Sequence, residues 1–213
     1  MKISVLCPSI RPEGVEIVKQ SFATQTFNLN EAELLIQMGD GKTHDLNAAF
    51  NCLLKKAKGE LIVFWEDYTK ATTNGLIKFW EAYQKEKDVF WTAPLGKTLD
   101  WKTINWDWRA TQGLTDIQSN QWECDWAAAP LKALKEIGGF DEELDKAWSF
   151  DNVSVAKRAE FKGYKFKNIF DNPAVALDHD KVSEHPFRKN FDSLFSNEII
   201  KGYTAETKLN YLT

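Results

Sequence analysis

Short, largely apolar runs at residues 3–7, 33–38, 61–65 and 89–91 alternate with segments whose apolar side chains recur at helical spacing. The helical faces are carried by Val15, Val18 and Phe22, then by Leu46, Ala49, Phe50, Leu53, Leu54 and Ala57, then by Leu76, Phe79, Trp80 and Tyr83. No run is long enough for a helix of its own. Leu61-Ile62-Val63-Phe64-Trp65 is apolar at every position, the pattern of a strand covered on both faces. Parallel strands need crossovers, and crossover helices pack on the sheet they leave. The expectation is an α/β chain, a three-layer sandwich with a mostly parallel central sheet.

In such a sheet, loops at the carboxyl ends of the strands line the ligand crevice. Pro8-Ser9-Ile10-Arg11-Pro12 follows the first strand, Gly39-Asp40-Gly41 the second and Glu66-Asp67-Tyr68 the third. Arg11 offers a planar fork to a phosphate, and is equally well read as a surface residue beside a proline. Gly39-Asp40-Gly41 is either a turn chosen for its backbone or an acid presented to a ligand. Glu66 and Asp67, at the end of a buried strand, are the stronger pair.

Net charge is −4 with a pI near 5.5, so there is no basic footprint for nucleic acid. Cys7, Cys52 and Cys124 form neither an even framework nor a Cys-x-x-Cys pair, which points to reduced thiols and a cytoplasmic location. No apolar run approaches the ~18–20 residues of a membrane span. At 213 residues with 43% apolar, one sizeable core and a single domain are expected.

The second half is organised around residues 124–164. A short helix from Leu131 to Glu136 is stopped by Gly138-Gly139, since the position past a helix often needs positive φ. Asp151 opens another helix as its N-cap, which fixes a carboxylate at a cleft. Between residues 96 and 126, Trp101, Trp106, Trp108, Trp122 and Trp126 are interleaved with Asp100, Asp107, Arg109, Glu123 and Asp125. Rings beside acids suit a sugar, whose C–H face stacks while its hydroxyls bond carboxylates; a tryptophan is equally a core filler or interface anchor. Trp122, Asp125 and Trp126 are the candidates to meet such a sugar. The tail, with Phe187, Phe191, Leu194, Phe195 and Ile199, reads as an amphipathic helix that folds back, acts as a lid or pairs with a second subunit in a homo-oligomer.

The turn Gly138 to Glu142, the pair Asp151-Asn152, Arg158 and the exit Gly163-Tyr164, with Gly59 to Phe64 leading to an acidic pair, resemble GT-A fold glycosyltransferases, in particular the large inverting family 2 type. The resemblance runs more weakly over residues 1–180. It implies a nucleotide-sugar-binding half (1–94), an acceptor half (95–180) and a tail (181–213). It also implies a nucleotide-sugar donor contacted by Pro8, Arg11, Asp40 and Asp67, and an acceptor that is carbohydrate, lipid or protein. A divalent cation, Mn²⁺ or Mg²⁺, would be held by Glu66, Asp67 and His179. The chain departs from the family at two positions. Tyr68 stands where a metal-binding Asp is usual, and the family's base falls on Asn152, which takes no proton at neutral pH. Asp151 is then the candidate base, with Asp125 and Asp141 as alternatives. A catalytically silent sugar-nucleotide or glycan-binding domain is the competing expectation.

Overall fold

The computed structural model describes residues 1–41, 45–146, 151–178 and 193–212. In chain order its elements are β1 (Ile3–Ser9), α1 (Pro12–Ala23), β2 (Ala32–Met38), α2 (Leu46–Lys56), β3 (Leu61–Trp65), β4 (Thr69–Ala71), α3 (Gly75–Lys85), β5 (Val89–Thr92), β6 (Leu95–Thr98), β7 (Asn105–Trp106), α4 (Trp108–Thr111), β8 (Trp126–Pro130), α5 (Leu131–Glu136), α6 (Asp151–Phe161), β9 (Lys165–Asn168), β10 (Ala174–Leu177) and α7 (Ser193–Lys201).

The central sheet has the order β2-β1-β3-β8-β5-β9. β1 is parallel to β2 and β3, and β5 to β9; only β8 runs against its neighbours. Alternate residues of each strand enter opposite cores. Val63 and Trp65 pack with Val15 and Val18 of α1 and with Leu76 and Phe79 of α3. Ile62 and Phe64 pack with Phe50 and Leu53 of α2, and with α5 and α6. All five β3 side chains are buried, which is why that run carries no polar position.

The β1–α1–β2 crossover lies on one face and the β2–α2–β3 crossover on the other. The connection therefore switches faces beside β1, and a crevice opens at the carboxyl ends of the strands. β8 reverses this logic. Its register pairs Trp65 with Trp126, so the start of β8 lies at the same edge as the end of β3. A sequence of three alanines carries no period, so local pattern does not mark this strand. A second sheet, β4-β10-β6-β7, covers the loosely patterned region after residue 95.

Asn51 of α2 ties down the Gly-Gly-Phe-Asp turn. Its amide oxygen accepts from Phe140 N–H at 2.8 Å, and its amide nitrogen donates to the Phe140 carbonyl at 2.9 Å. The segment after α7 folds back on this turn: Leu209 N–H donates to the Ile137 carbonyl at 3.1 Å, and Tyr203 reaches Ser154 and Asp141. Residues 203–212, which follow the helix, are thus seated on this turn. Phe187 and Phe191 lie outside the described residues.

Candidate functional site

A cleft of about 420 Å³ opens at the switch point. Pro8 to Arg11 come from the β1 loop, Gln37, Gly39 and Gly41 from the end of β2, Trp65 to Asp67 from the end of β3, Glu123 to Asp125 from the approach to β8, and Asp151 and Asn152 from the start of α6. The floor is the α2 face of Leu46, Ala49 and Phe50. Of the sequence candidates, the fold brings Pro8, Arg11, Glu66, Asp67, Asp125 and Asp151 to this one place. Asp40 is exposed and stands outside the lining, while its neighbours Gly39 and Gly41 line the cleft. His179 lies outside the described residues.

Asp67 is nearly buried, at 7% exposure, and its Oδ2 accepts from Ser9 Oγ at 2.5 Å with Arg11 Nη1 at 3.9 Å. The β1 loop and the β3 end are joined through this one oxygen. Tyr68, with φ of +60°, turns back from the cleft. Its hydroxyl donates to Glu13 Oε1 at 2.5 Å on α1, and burial followed by that carboxylate pushes the phenol up to about 12.

Glu66 is pushed up to about 7, first by burial and then by Asp125, with a smaller contribution from Asp67. Glu123 is likewise pushed up to about 7, by burial, then Asp125, with Asp151 and Asp107 adding and Arg109 opposing. Burial also raises Asp151. Asp151 stands in the first turn of α6.

Asp125 is committed to Arg109. The guanidinium, 2% exposed, donates from Nη1 to Oδ1 at 2.7 Å and from Nη2 to Oδ2 at 2.9 Å, and from Nε to Asp107 Oδ2 at 2.8 Å. Asp141, the other alternative base, is 4% exposed and turned toward Tyr203 and Tyr211. The tryptophan expectation is corrected. Trp122 and Trp126 have no exposed surface and cannot stack on an acceptor. Trp122 packs edge-on to Phe64 and Phe90, with Nε1 donating to the Trp91 carbonyl at 3.0 Å. Trp126 packs on Trp65 and Phe79, with Nε1 donating to the Asn172 carbonyl at 2.8 Å. Burying such large apolar rings is strongly favourable.

Glu123 was not a sequence candidate. Asn152 Nδ2 donates to Glu123 Oε2 at 2.9 Å and to the Trp122 carbonyl at 2.9 Å. Two acids, Glu123 and Asp125, on either side of Cys124 directly before a short apolar run, the mirror of the acids after β3, are the signal that finds it once the run is recognised as a strand.

Among the described residues, no three His, Cys, Asp or Glu side chains are gathered closely enough to hold a metal ion. The donors at the β3 end are nevertheless of the right type. Mg²⁺ and Mn²⁺ take hard oxygens, and Mg²⁺ in particular is often held by one or two carboxylates together with phosphate oxygens. Burial is the larger part of the upward push on Glu66; the part that comes from Asp125 and Asp67 is repulsion between carboxylates, which a cation relieves.

No family model matches the sequence, and no curated protein matches it. Solved structures do match by fold. Residues 1–349 of S. aureus TarS in complex with UDP-GlcNAc align over 94% of this chain and 64% of that one, with a TM-score of 0.69 and 15% identity. The same fragment with UDP aligns over 84% and 61%, with a TM-score of 0.64 and 14% identity. A further TarS crystal structure aligns over 84% of this chain and 37% of its own length, with a TM-score of 0.66 and 14% identity. The chain spans less than two thirds of each of these TarS chains. The likeness establishes a shared α/β fold, with a mostly parallel six-stranded sheet flanked by helices.

Proposed function

We propose that this chain is a glycosyltransferase of inverting type, moving a sugar from a nucleotide-sugar donor to an acceptor hydroxyl. The observation that carries the reading is the joining of the β1 loop to the β3 end through Asp67, Ser9 and Arg11 at the switch point of the sheet, where such folds take their ligands. Its support from comparison is that the TarS structures on this fold were solved with UDP-GlcNAc and UDP.

In this reading Pro8, Arg11 and Asp67 contact the nucleotide, with Arg11 turned to the diphosphate, and Asp40 contributes from the rim. The cleft is acidic: among the described residues Asp45, Glu66, Asp67, Glu123, Asp125 and Asp151 line it against the one cation Arg11. A diphosphate entering such a cleft needs further positive charge. Glu66 and Asp67, with His179, would hold a divalent cation, which supplies charge neutralisation to the departing diphosphate. The base is a carboxylate on the α6 side of the cleft, where Asp151 and Glu123 stand.

Calorimetry with UDP, GDP and dTDP, with and without Mn²⁺, tests the reading. We expect one nucleotide to bind in a manner that needs the metal, with affinity reduced at least tenfold by Asp67→Ala, equivalent to about 1.4 kcal/mol. Failure of all three to bind under either condition would overturn it.

Tyr68 and Asn152 favour a second reading, a sugar-nucleotide-binding domain without turnover, because neither supplies the carboxylate usual at its position. A chain of that kind binds a nucleotide in the same experiment and releases none from any nucleotide sugar.

A further inference from the structure

We propose that Glu123 is the catalytic base of this cleft and that Asn152 is the positioning residue that holds it. The inference rests on the glycosyltransferase reading and assigns the proton transfer within it.

Three observations carry it. Glu123 lines the cleft beside Asp125 and Asp151, and of these acids it is the one held by a neutral side-chain donor. Asp125 is occupied on both oxygens by Arg109. The Asp151 carboxylate is met by its own backbone N–H. The second observation is the orientation of Asn152. Its Nδ2 faces the Trp122 carbonyl and the Glu123 carboxylate, both at 2.9 Å, and both of those are acceptors. Only an NH₂ group satisfies the pair, so the amide cannot be turned over. An aspartate at 152 would set a carboxylate against a carbonyl and a second carboxylate. Asn152 is therefore not a disabled base; its amide is what makes an ionised Glu123 tenable in this position.

The third is the protonation balance. Burial, then Asp125, with Asp151 and Asp107 adding and Arg109 opposing, hold Glu123 at about 7, close to the value at which a general base is most effective at neutral pH. In the transfer, Glu123 takes the proton from the acceptor O–H while that oxygen forms its bond to the anomeric carbon. The bond from the anomeric carbon to the diphosphate breaks, its electron pair leaves with the nucleoside diphosphate, and the proton on Glu123 passes to solvent afterwards. The sequence places only Asn152 at the family's base position; the side chain that meets it comes from a segment 29 residues earlier, at the start of an antiparallel strand.

The test uses the full chain with UDP-, GDP- and dTDP-hexoses and water as acceptor. It reads nucleoside diphosphate release against pH, and measures binding of the matching nucleoside diphosphate by calorimetry. In wild type the rate rises with pH through about 7. Glu123→Gln, which keeps the shape of the side chain, lowers kcat by roughly 10²- to 10⁴-fold and abolishes that pH limb, while nucleotide affinity stays within about twofold. Asp151→Asn keeps the limb, whatever it does to the rate. Asn152→Asp, although it installs the family's acid, lowers the rate and moves the limb to higher pH, because the new carboxylate opposes ionisation of Glu123. Retention of the limb in Glu123→Gln, its loss in Asp151→Asn, or a faster Asn152→Asp enzyme would each overturn the assignment. So would a wild type that binds a nucleoside diphosphate but releases none from any donor. Absence of nucleotide binding altogether would instead remove the glycosyltransferase reading on which the assignment rests.

Discussion

The Leu209 backbone crosses the Gly138 turn so closely that a Cβ on Gly138 would overlap the Leu209 carbonyl group. Gly138 also holds φ at +82°. Two independent demands therefore meet at one glycine: the left-handed exit from α5 and the seat of the tail. Gly138→Ala should cost about 1–2 kcal/mol for the backbone alone and more for displacing the tail, about 2–4 kcal/mol in all. Urea unfolding measures this; a loss within about 0.5 kcal/mol, the size of a bland surface change, would show that the tail is not seated on the turn.

Arg109 is buried between Asp107 and Asp125, each a little over a quarter exposed. Arg109→Met leaves two carboxylates facing each other across an apolar side chain. Breaking a buried pair from one side costs about 3–5 kcal/mol, and the partial exposure of both acids places this variant near the lower figure. Arg109→Lys should recover only part of the loss, since one ammonium cannot reproduce a fork that bonds two carboxylates. Chemical denaturation of the three proteins side by side gives the comparison.

Glu66 and Glu123 are both held at about 7 in the folded chain against an ordinary 4.5. Between those values the folded state binds more protons than the unfolded one, so stability falls as pH rises. The stabilisation is complete below about 4.5 and is lost as pH rises through about 7. Glu66→Gln should flatten this slope and raise the urea midpoint at pH 8 relative to wild type. A midpoint for wild type that rises from pH 5 to pH 8 faster than that of Glu66→Gln would contradict the assignment.

Asp145 closes the amino end of α2 from a distant part of the chain. Its Oδ1 accepts from Asn47 N–H at 2.9 Å and Asn47 Nδ2 at 2.7 Å, and its Oδ2 from Ala48 N–H at 3.1 Å. Asp145→Ala should cost about 1–2 kcal/mol as a lost cap. Because Leu46, Ala49 and Phe50 of the same helix line the cleft, nucleotide affinity should weaken with it, although Asp145 is not among the lining residues. Equal affinity in the variant would separate the cap from the site.

The elements that were readable from local pattern are those whose neighbours alternate in the sequence as they do in space. β3 spans the run 61–65 and α5 spans Leu131 to Glu136 as expected. The acids after β3 were placed correctly at the crevice because a buried parallel strand points its end there. β8 was not readable, since Ala127-Ala128-Ala129 has no period and a strand's direction leaves no mark on its composition. With β8 went Glu123, whose position at the cleft depends wholly on that direction. Trp122 and Trp126 take the core role and not the sugar-facing one, because proximity to acids in sequence does not say which way a ring points. Asp40 lies one residue off the wall formed by Gly39 and Gly41, a difference below the resolution of pattern reading.

By itself the sequence determined the α/β class, the alternation of layers and the carboxylates at the end of β3, because each follows from periodicity within a few turns of chain. The tertiary structure decided which acids share a cleft, which are already spent on a cation and which way the Asn152 amide faces. Those depend on contacts such as Arg109 with Asp125 and Asn152 with Glu123, made across 16 and 29 residues. The physical reason is that a charge's chemistry is set by burial and by its neighbours within a few ångströms, and only closure of the sheet around β8 brings those neighbours together.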